Sequence, residues 1–322
     1  MDFDDISFEK KPWHQTVLLE ETVSWVVPEG GKYFVDGTVG GGGHALHLLE
    51  RYPDAQLLGL DRDLEALERA KENLKGVEDR VILHQGSYER LGEHLVEVGF
   101  PEQVDGIMLD LGVNSHQLDD GSRGFSFRHD GPLDMRFSPD DDSIATAAEL
   151  VNTLSEKELS DIFFKWGEER QARRAAKAII RYRQEQLFTR TSELRDCLGS
   201  VLKTKKFKKG IDPATRCFQA LRIVVNDELG HLDRFLEKGS QFLNKGGRLA
   251  IISFHSLEDR RVKWQFREWA KDCVCPSDFP ICVCDKQAEV KILTRRPISP
   301  SAREIENNAR ARSAHLRVFE RL

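Results

Sequence analysis

The feature that most constrains this chain is a strand–loop–helix unit near its start. Tyr33-Phe-Val-Asp36 has the length and composition of a buried strand, the glycine-rich stretch Asp36-Gly-Thr-Val-Gly-Gly-Gly-Gly-His44 follows, and Ala45-Leu-His-Leu-Leu-Glu50 opens a helix. Glycines let the backbone approach a ligand closely, and a helix amino terminus presents unpaired N–H groups. Leu57-Leu-Gly-Leu-Asp61, Val81-Ile-Leu-His84 and Ile107-Met-Leu-Asp110 are further strand-length apolar runs, and Leu64, Leu67, Ala70 and Leu74 recur at helical spacing between the second and third strands. Strand and helix alternating in this way predict an α/β fold, a parallel sheet covered on both faces. Three of the strands end in Asp, at the edge where open α/β sheets bind ligands.

The rhythm breaks after Asp110. Residues 112–142 are rich in Gly, Asp, Ser and Pro and read as a long loop, and 143–201 read as helical, most strongly over 168–186. A helix over 215–244, a break at Gly246-Gly247, the strand Arg248-Leu-Ala-Ile-Ile-Ser253 and a last strand at 315–320 restore the α/β pattern. The expected organisation is therefore a discontinuous α/β domain, 1–112 and 217–322, with a helical domain inserted at 113–216.

Asp61 lies twenty-five residues after Asp36 at the end of the second strand, placed to accept hydrogen bonds from ribose hydroxyls. Two cofactor readings follow. Gly40-x-Gly42-x-x-Ala45 fits the dinucleotide fingerprint of a nicotinamide enzyme. Asp36, just before the glycines, would repel a pyrophosphate but attract a cationic amino-acid moiety such as that of S-adenosylmethionine. The charges favour S-adenosylmethionine.

His14-Gln-Thr-Val-Leu-Leu-Glu20, the glycine stretch 36–44, Asp110-Leu-Gly-Val-Asn-Ser115, Gln117-Leu-Asp-Asp120, Arg123-Gly-Phe-Ser-Phe127, Gly131-Pro-Leu-Asp-Met-Arg136 and Ser253-Phe-His-Ser-Leu-Glu-Asp-Arg260 occur in this order. On these motifs the chain resembles the MraW (RsmH) family from about His14 to Arg317. Those are bacterial methyltransferases that modify N4 of a cytidine in the decoding region of 16S ribosomal RNA, in the small ribosomal subunit. The resemblance implies a Rossmann-like class I S-adenosylmethionine-dependent methyltransferase sheet. It also implies that the backbone at Gly42, Gly43 and His44 holds the methionine part of the cofactor, that Asp61 binds the ribose, that Tyr88 (where the family often has Phe) packs on the adenine side, and that Asp110 and Gln117 complete the pocket.

Methylating an exocyclic amine requires a group that positions the nitrogen and accepts its N–H hydrogens. The Asp110 carboxylate and the Asn114 side-chain carbonyl are the candidate catalytic acceptors, with Asn114 equally readable as a turn residue. His255 follows a late strand and is read as structural before catalytic, Asp134 and Arg136 as a pair within the loop, and Cys217 as a buried helix residue. An RNA-binding assembly factor with a vestigial pocket is the non-enzymatic alternative.

The net charge is −6, yet residues 165–209 carry +9 and 291–322 carry +5, which points to a polyanionic partner. Arg170, Arg174, Lys177 and Arg181 fall on one helical face, and Lys203-Thr-Lys-Lys-Phe-Lys-Lys209 sets five lysines around one aromatic, a pattern suited to RNA. The acidic amino terminus and the lack of a long apolar run predict a cytoplasmic protein with no membrane segment; an oligomer is compatible with the sequence. Cys273, Cys275, Cys282 and Cys284 supply four thiols, a ligand set for tetrahedral zinc, but their C-x-C spacing departs from the commoner C-x-x-C. No metal ligand is assigned on this ground, and reduced thiols are the expectation.

Overall fold

The computed structural model describes residues 16–202, 212–276 and 281–322. Seven strands form one sheet: β1 (Tyr33–Asp36), β2 (Gln56–Asp61), β3 (Val81–Gln85), β4 (Val104–Asp110), β5 (Leu243–Ser253), β6 (Val290–Ile292) and β7 (His315–Arg321). Their order is β3-β2-β1-β4-β5-β7-β6. The first five run parallel, whereas β7 pairs antiparallel with both β5 and β6. This is the Rossmann-like α/β arrangement expected from the sequence, with a reversed strand near one edge. The chain steps outward from β1 through β2 to β3, then returns to place β4 on the other side of β1. That reversal falls between the carboxyl ends of β1 and β4, the position where such sheets form their ligand-binding crevice.

Helices α1 (Leu19–Val26), α2 (Gly43–Arg51) and α3 (Leu64–Asn73) cover one face of the sheet, burying Val23, Val26, Ala45, Leu48, Leu49, Ala66, Leu67 and Ala70. On the other face lie α4 (Leu91–Glu97), α11 (Glu228–Lys238) and α12 (Ser256–Trp269), where Phe235, Phe266, Trp269 and Phe319 anchor a second apolar cluster. The long run predicted over 112–142 carries the short α-helix α5 (Ser115–Asp119) and a single 3-10 turn at Gly121–Arg123. A third apolar cluster joins α6 (Ala147–Thr153), α7 (Glu156–Gly167), α8 (Ala172–Tyr182), α9 (Thr191–Val201) and α10 (Thr215–Val225). Among the described residues no helix is long and apolar enough to cross a membrane.

Four local expectations change. The helix predicted over 168–186 is shorter, because Glu168 adopts φ 50° as the C-cap of α7 and α8 ends at Tyr182. The helix predicted over 215–244 is broken at Asp227 (φ 48°), which turns the chain from α10 into α11. Gly246, expected within a break before the strand, lies inside β5, where its φ of 80° accompanies a register shift against β4. The division expected at 216/217 falls inside α10, whose buried Cys217, Phe218, Ala220 and Leu221 pack with the helical cluster.

Candidate active site

Asp36, Asp61 and Asp110 stand at the carboxyl ends of β1, β2 and β4, brought to one rim by the parallel register that aligns Asp36 with Gly59 and Met108. The glycine loop is fastened to that rim. Gly40 donates its N–H to Asp61 Oδ2 (2.9 Å), Thr38 donates to Asp36 Oδ1 (3.1 Å), and Asp110 donates its backbone N–H to Thr38 Oγ1 (2.6 Å). Gly42 closes the loop by donating to the Val39 carbonyl (2.7 Å) with φ 82°, a conformation that glycine reaches without Cβ strain, and α2 starts at the next residue. At Gly37 an added Cβ would lie 2.4 Å from Leu109 Cδ2 and 2.9 Å from Tyr88 Cβ, so the first glycine lets strand end and aromatic meet. Two backbone donors of the loop, at Gly40 and Gly42, are thus engaged inside the protein. A pyrophosphate would have to compete with an aspartate and a carbonyl for them.

Burial dominates the electrostatics of this rim. Asp36 is only 2% exposed, and desolvation pushes its carboxyl up to about 7, against the Thr38 hydrogen bond and with help from the nearby Asp61 charge. Desolvation likewise raises Asp61 to about 6 despite N–H donors from Asp63 and Gly40. Asp110 is held well above the ordinary carboxylate range by burial first, then by the charges of Asp36 and Glu258. Its Oδ1 is a buried oxygen with no hydrogen-bond partner. Such an oxygen is costly unless a ligand supplies the missing donor. Three acceptor-rich carboxylates around one crevice suit a ligand carrying ammonium, hydroxyl or amine donors.

The remaining sequence-derived residues fall into distinct places. Tyr88 sits just beyond β3, half-buried, its ring edge-on to Phe235 at 5.5 Å. Burial raises its hydroxyl pKa above that of an ordinary tyrosine, so it stays neutral. His44 is buried in the first turn of α2 with Nε2 3.1 Å from the Val17 carbonyl oxygen. Asn114 is the N-cap of α5: its Oδ1 accepts the Gln117 N–H (2.9 Å) while Gln117 Oε1 accepts the Asn114 N–H (3.1 Å). Of the two roles open for Asn114, this geometry fills the turn role. His255 likewise caps α12, accepting the Glu258 N–H at Nδ1 (3.4 Å). Asp134 and Arg136 pair as expected, with Arg136 Nε and Nη2 each donating to the carboxylate at 2.9 Å, and Cys217 is fully buried.

A buried polar network was not legible in the sequence. Asp63 Oδ2 accepts both Gln117 Nε2 (2.8 Å) and Arg123 Nη1 (2.9 Å), and Arg123 also reaches Glu65 and the carbonyls of Arg136 and Phe137. Arg123 and Asp63 are 6% and 1% exposed. Asn226 completes the stitching, donating to the Met135 carbonyl and accepting from the Phe137 N–H, both at 2.7 Å. These bonds tie the segment after β4 to the end of β2, so Gln117 reaches the rim through Asp63. The only local signal was Asp63 as a helix N-cap, whose side chain takes the Glu65 N–H (3.0 Å).

The sequence profile of the MraW methylase family matches residues 11–322. The chain is 48% identical over 309 residues to the ribosomal RNA small subunit methyltransferase H of Syntrophobacter fumaroxidans, covering 96% of each chain. It is 47% identical over 310 residues to the protein of that name from Geotalea uraniireducens, covering 96% of this chain and 98% of the relative, and 45% identical over 310 residues to that from Heliobacterium mobile, covering 96% and 99%. A match across nearly the whole length, on a sheet whose strand ends carry the three aspartates, means that the chain belongs to the MraW methylase family.

Proposed function

We propose that the protein uses S-adenosylmethionine to methylate N4 of a cytidine in the decoding region of 16S ribosomal RNA, presented in the small ribosomal subunit. The observation that carries this reading is the set of three strand-end carboxylates around the β1/β4 crevice, one with a partnerless buried oxygen, in a chain whose relatives are named for small-subunit ribosomal RNA methylation. The reading places the protein in the cytoplasm with the subunits it modifies.

Bound in the crevice, S-adenosylmethionine supplies a methyl group on a positively charged sulfur. The backbone of Gly42, Gly43 and His44 would hold its methionine end, with the Asp36 charge favouring the cationic groups; Asp61 would accept the ribose hydroxyls and Tyr88 would cover the adenine side. Gln117 holds Asp63 and the start of α5 beside them. At the acceptor end, Asp110 offers Oδ1 to the amine hydrogens of cytosine, turning the nitrogen lone pair toward the methyl. As the N–C bond forms, the sulfur–methyl bond would break with its electron pair returning to sulfur, S-adenosylhomocysteine would leave, and the proton lost by the nitrogen would pass to this carboxylate or through it to water. Asn114 shapes the loop that carries this end and is a positioning residue.

Cofactor binding by Asp36 and Asp61 has a pH signature. Their carboxyls hold protons up to about 7 and about 6, and a cationic ligand favours the ionised forms. Binding therefore releases protons below these values. Affinity for S-adenosylmethionine, measured by calorimetry, is expected to fall as pH drops from about 7.5 through 6, by up to about tenfold per unit for each proton released. A flat profile across the whole window would remove Asp36 and Asp61 from the binding site.

Exposed Arg170, Arg174, Lys177 and Arg181, at and before α8, form the surface offered to RNA phosphates, while Ala175, Ala176 and Ile179 face the helical core. The lysine-rich 203–209 lies outside the described residues. We propose the helical layer that follows β4, expected at 113–216, as the RNA-recognition unit. Cytosine N4 is engaged in pairing within a duplex, so the target is single-stranded or flipped.

The test is transfer of labelled methyl to small subunits from a strain lacking the gene, followed by nucleoside analysis. Label in N4-methylcytidine is the expected result; label in another nucleoside, or none on subunits or naked RNA despite cofactor binding, overturns it. In the same assay, Arg174→Glu with Lys177→Glu is expected to raise KM for the RNA substrate and to reduce the salt slope of binding by about one for each phosphate no longer neutralised.

A further inference from the structure

The connection from α12 to β6 holds four cysteines that the proposed methyl transfer does not use. Their Sγ atoms all lie within 4.8 Å of one another. Four of the six separations are 3.5 Å (Cys273–Cys282), 3.6 Å (Cys282–Cys284), 3.8 Å (Cys273–Cys284) and 3.9 Å (Cys275–Cys282). A tetrahedron with zinc–sulfur bonds of about 2.3 Å has edges of about 3.8 Å. A disulfide would bring two sulfurs to about 2.05 Å, and all six cysteines of the described chain are free. The sulfurs are spaced as ligands of one ion.

The backbone supports the same assignment. Val274, between Cys273 and Cys275, donates its N–H to Cys284 Sγ (3.3 Å), and Val283, between Cys282 and Cys284, donates to Cys275 Sγ (3.4 Å). Each C-x-C turn thus points its central N–H at a sulfur of the other, and Cys275 N–H adds a third such bond to Cys273 Sγ (3.4 Å). Donors aimed at sulfur stabilise thiolate, the form that binds metal. Among the described residues of this segment no apolar core accounts for its fold, since Val274, Ile281 and Val283 are 58%, 74% and 73% exposed. A connection that buries so little needs a cross-link to hold one shape. Its stem is closed by the Glu289 N–H on the Trp269 carbonyl (2.8 Å), just before β6.

We propose that Cys273, Cys275, Cys282 and Cys284 bind one zinc ion as a tetrahedral tetrathiolate that staples the α12–β6 connection. Binding displaces four thiol protons and leaves the ion fully ligated by sulfur, which makes the site structural. It borders β6, at the sheet edge away from the β1/β4 crevice. The C-x-C spacing that argues against zinc in the sequence is accommodated because the two short turns pair face to face.

Full-length protein purified under reducing conditions is expected to contain one zinc per chain, released when four thiols are titrated with a mercurial. Exchange with Co2+ should give the visible bands of tetrahedral cobalt and a thiolate charge-transfer band. Cys282→Ser and Cys273→Ser should each abolish that spectrum and expose the 270–289 segment to limited proteolysis, while S-adenosylhomocysteine binding persists; Cys197→Ser should change neither. Retained binding also certifies that the variants fold. Protein that takes up neither metal, iron in place of zinc, an octahedral cobalt spectrum, or disulfides among these cysteines in the freshly reduced chain would overturn the assignment.

Discussion

Asp110→Ala is expected to lower kcat for methyl transfer by about 10²- to 10³-fold, the usual effect of deleting one preorganised group at a reacting centre. The effect falls mainly on kcat if, as proposed, Asp110 meets the amine whose hydrogens become acidic as the bond forms, so that its hydrogen bond strengthens toward the transition state. Its buried Oδ1 has no partner inside the protein, so the side chain contributes little to the fold. Asp110→Asn separates positioning from charge. The amide keeps an acceptor oxygen but cannot take a proton, and an intermediate loss is expected. Because burial, Asp36 and Glu258 hold the Asp110 carboxyl above the ordinary range, the parent rate should rise with pH as this group ionises. That acid limb should disappear in the Asn variant. Steady-state kinetics across pH on isolated small subunits check both points. Unchanged activity in both variants would move the acceptor elsewhere, or leave the pocket vestigial as the assembly-factor reading has it.

Arg123→Ala is expected to cost about 3–5 kcal/mol of stability, because it strands the Asp63 carboxylate in a site 1% exposed. The guanidinium is also the only described donor joining Asp63, Glu65 and the carbonyls of Arg136 and Phe137. Its loss should therefore loosen the segment after β4 as well as the end of β2. Urea unfolding gives the stability, and S-adenosylhomocysteine affinity reports whether Gln117 keeps its place. The double variant Arg123→Met with Asp63→Asn removes the stranded charge and should recover part of the loss, a positive coupling between the two positions. A cost below about 1 kcal/mol for Arg123→Ala alone would mean that water reaches Asp63 and that the network does not organise the site.

The α/β class, the parallel strands and the three strand-end aspartates were legible because each depends on local pattern. Apolar runs of strand length, helical spacing and a glycine stretch between them are written within twenty residues of one another. The resemblance to a methyltransferase family rested on the same segments and was borne out across the chain. Where the structure departs from the local pattern, the cause is also physical. Glu168 and Asp227 take left-handed backbone at helix ends, where glycine or asparagine would ordinarily announce the turn. The three-residue strand β6 is too short to carry a period and exists because β7 offers it an edge.

The sequence by itself determined the parallel strands, the aspartates at their ends and the composition of the cysteine cluster. Only the tertiary structure decided what those groups meet. Asn114 reads from its neighbours as an acceptor or a turn residue alike, and in the fold its Oδ1 takes the Gln117 N–H as the cap of α5. Asp63 and Arg123, sixty residues apart, gave no sign of one another, yet their pairing fastens the segment after β4 to the sheet. Spacing argued against the four cysteines as metal ligands, and the folded turns bring their sulfurs to tetrahedral distances. Secondary structure follows periodicity along the chain, whereas desolvation, buried ion pairs and metal geometry depend on distances between residues that the chain keeps far apart.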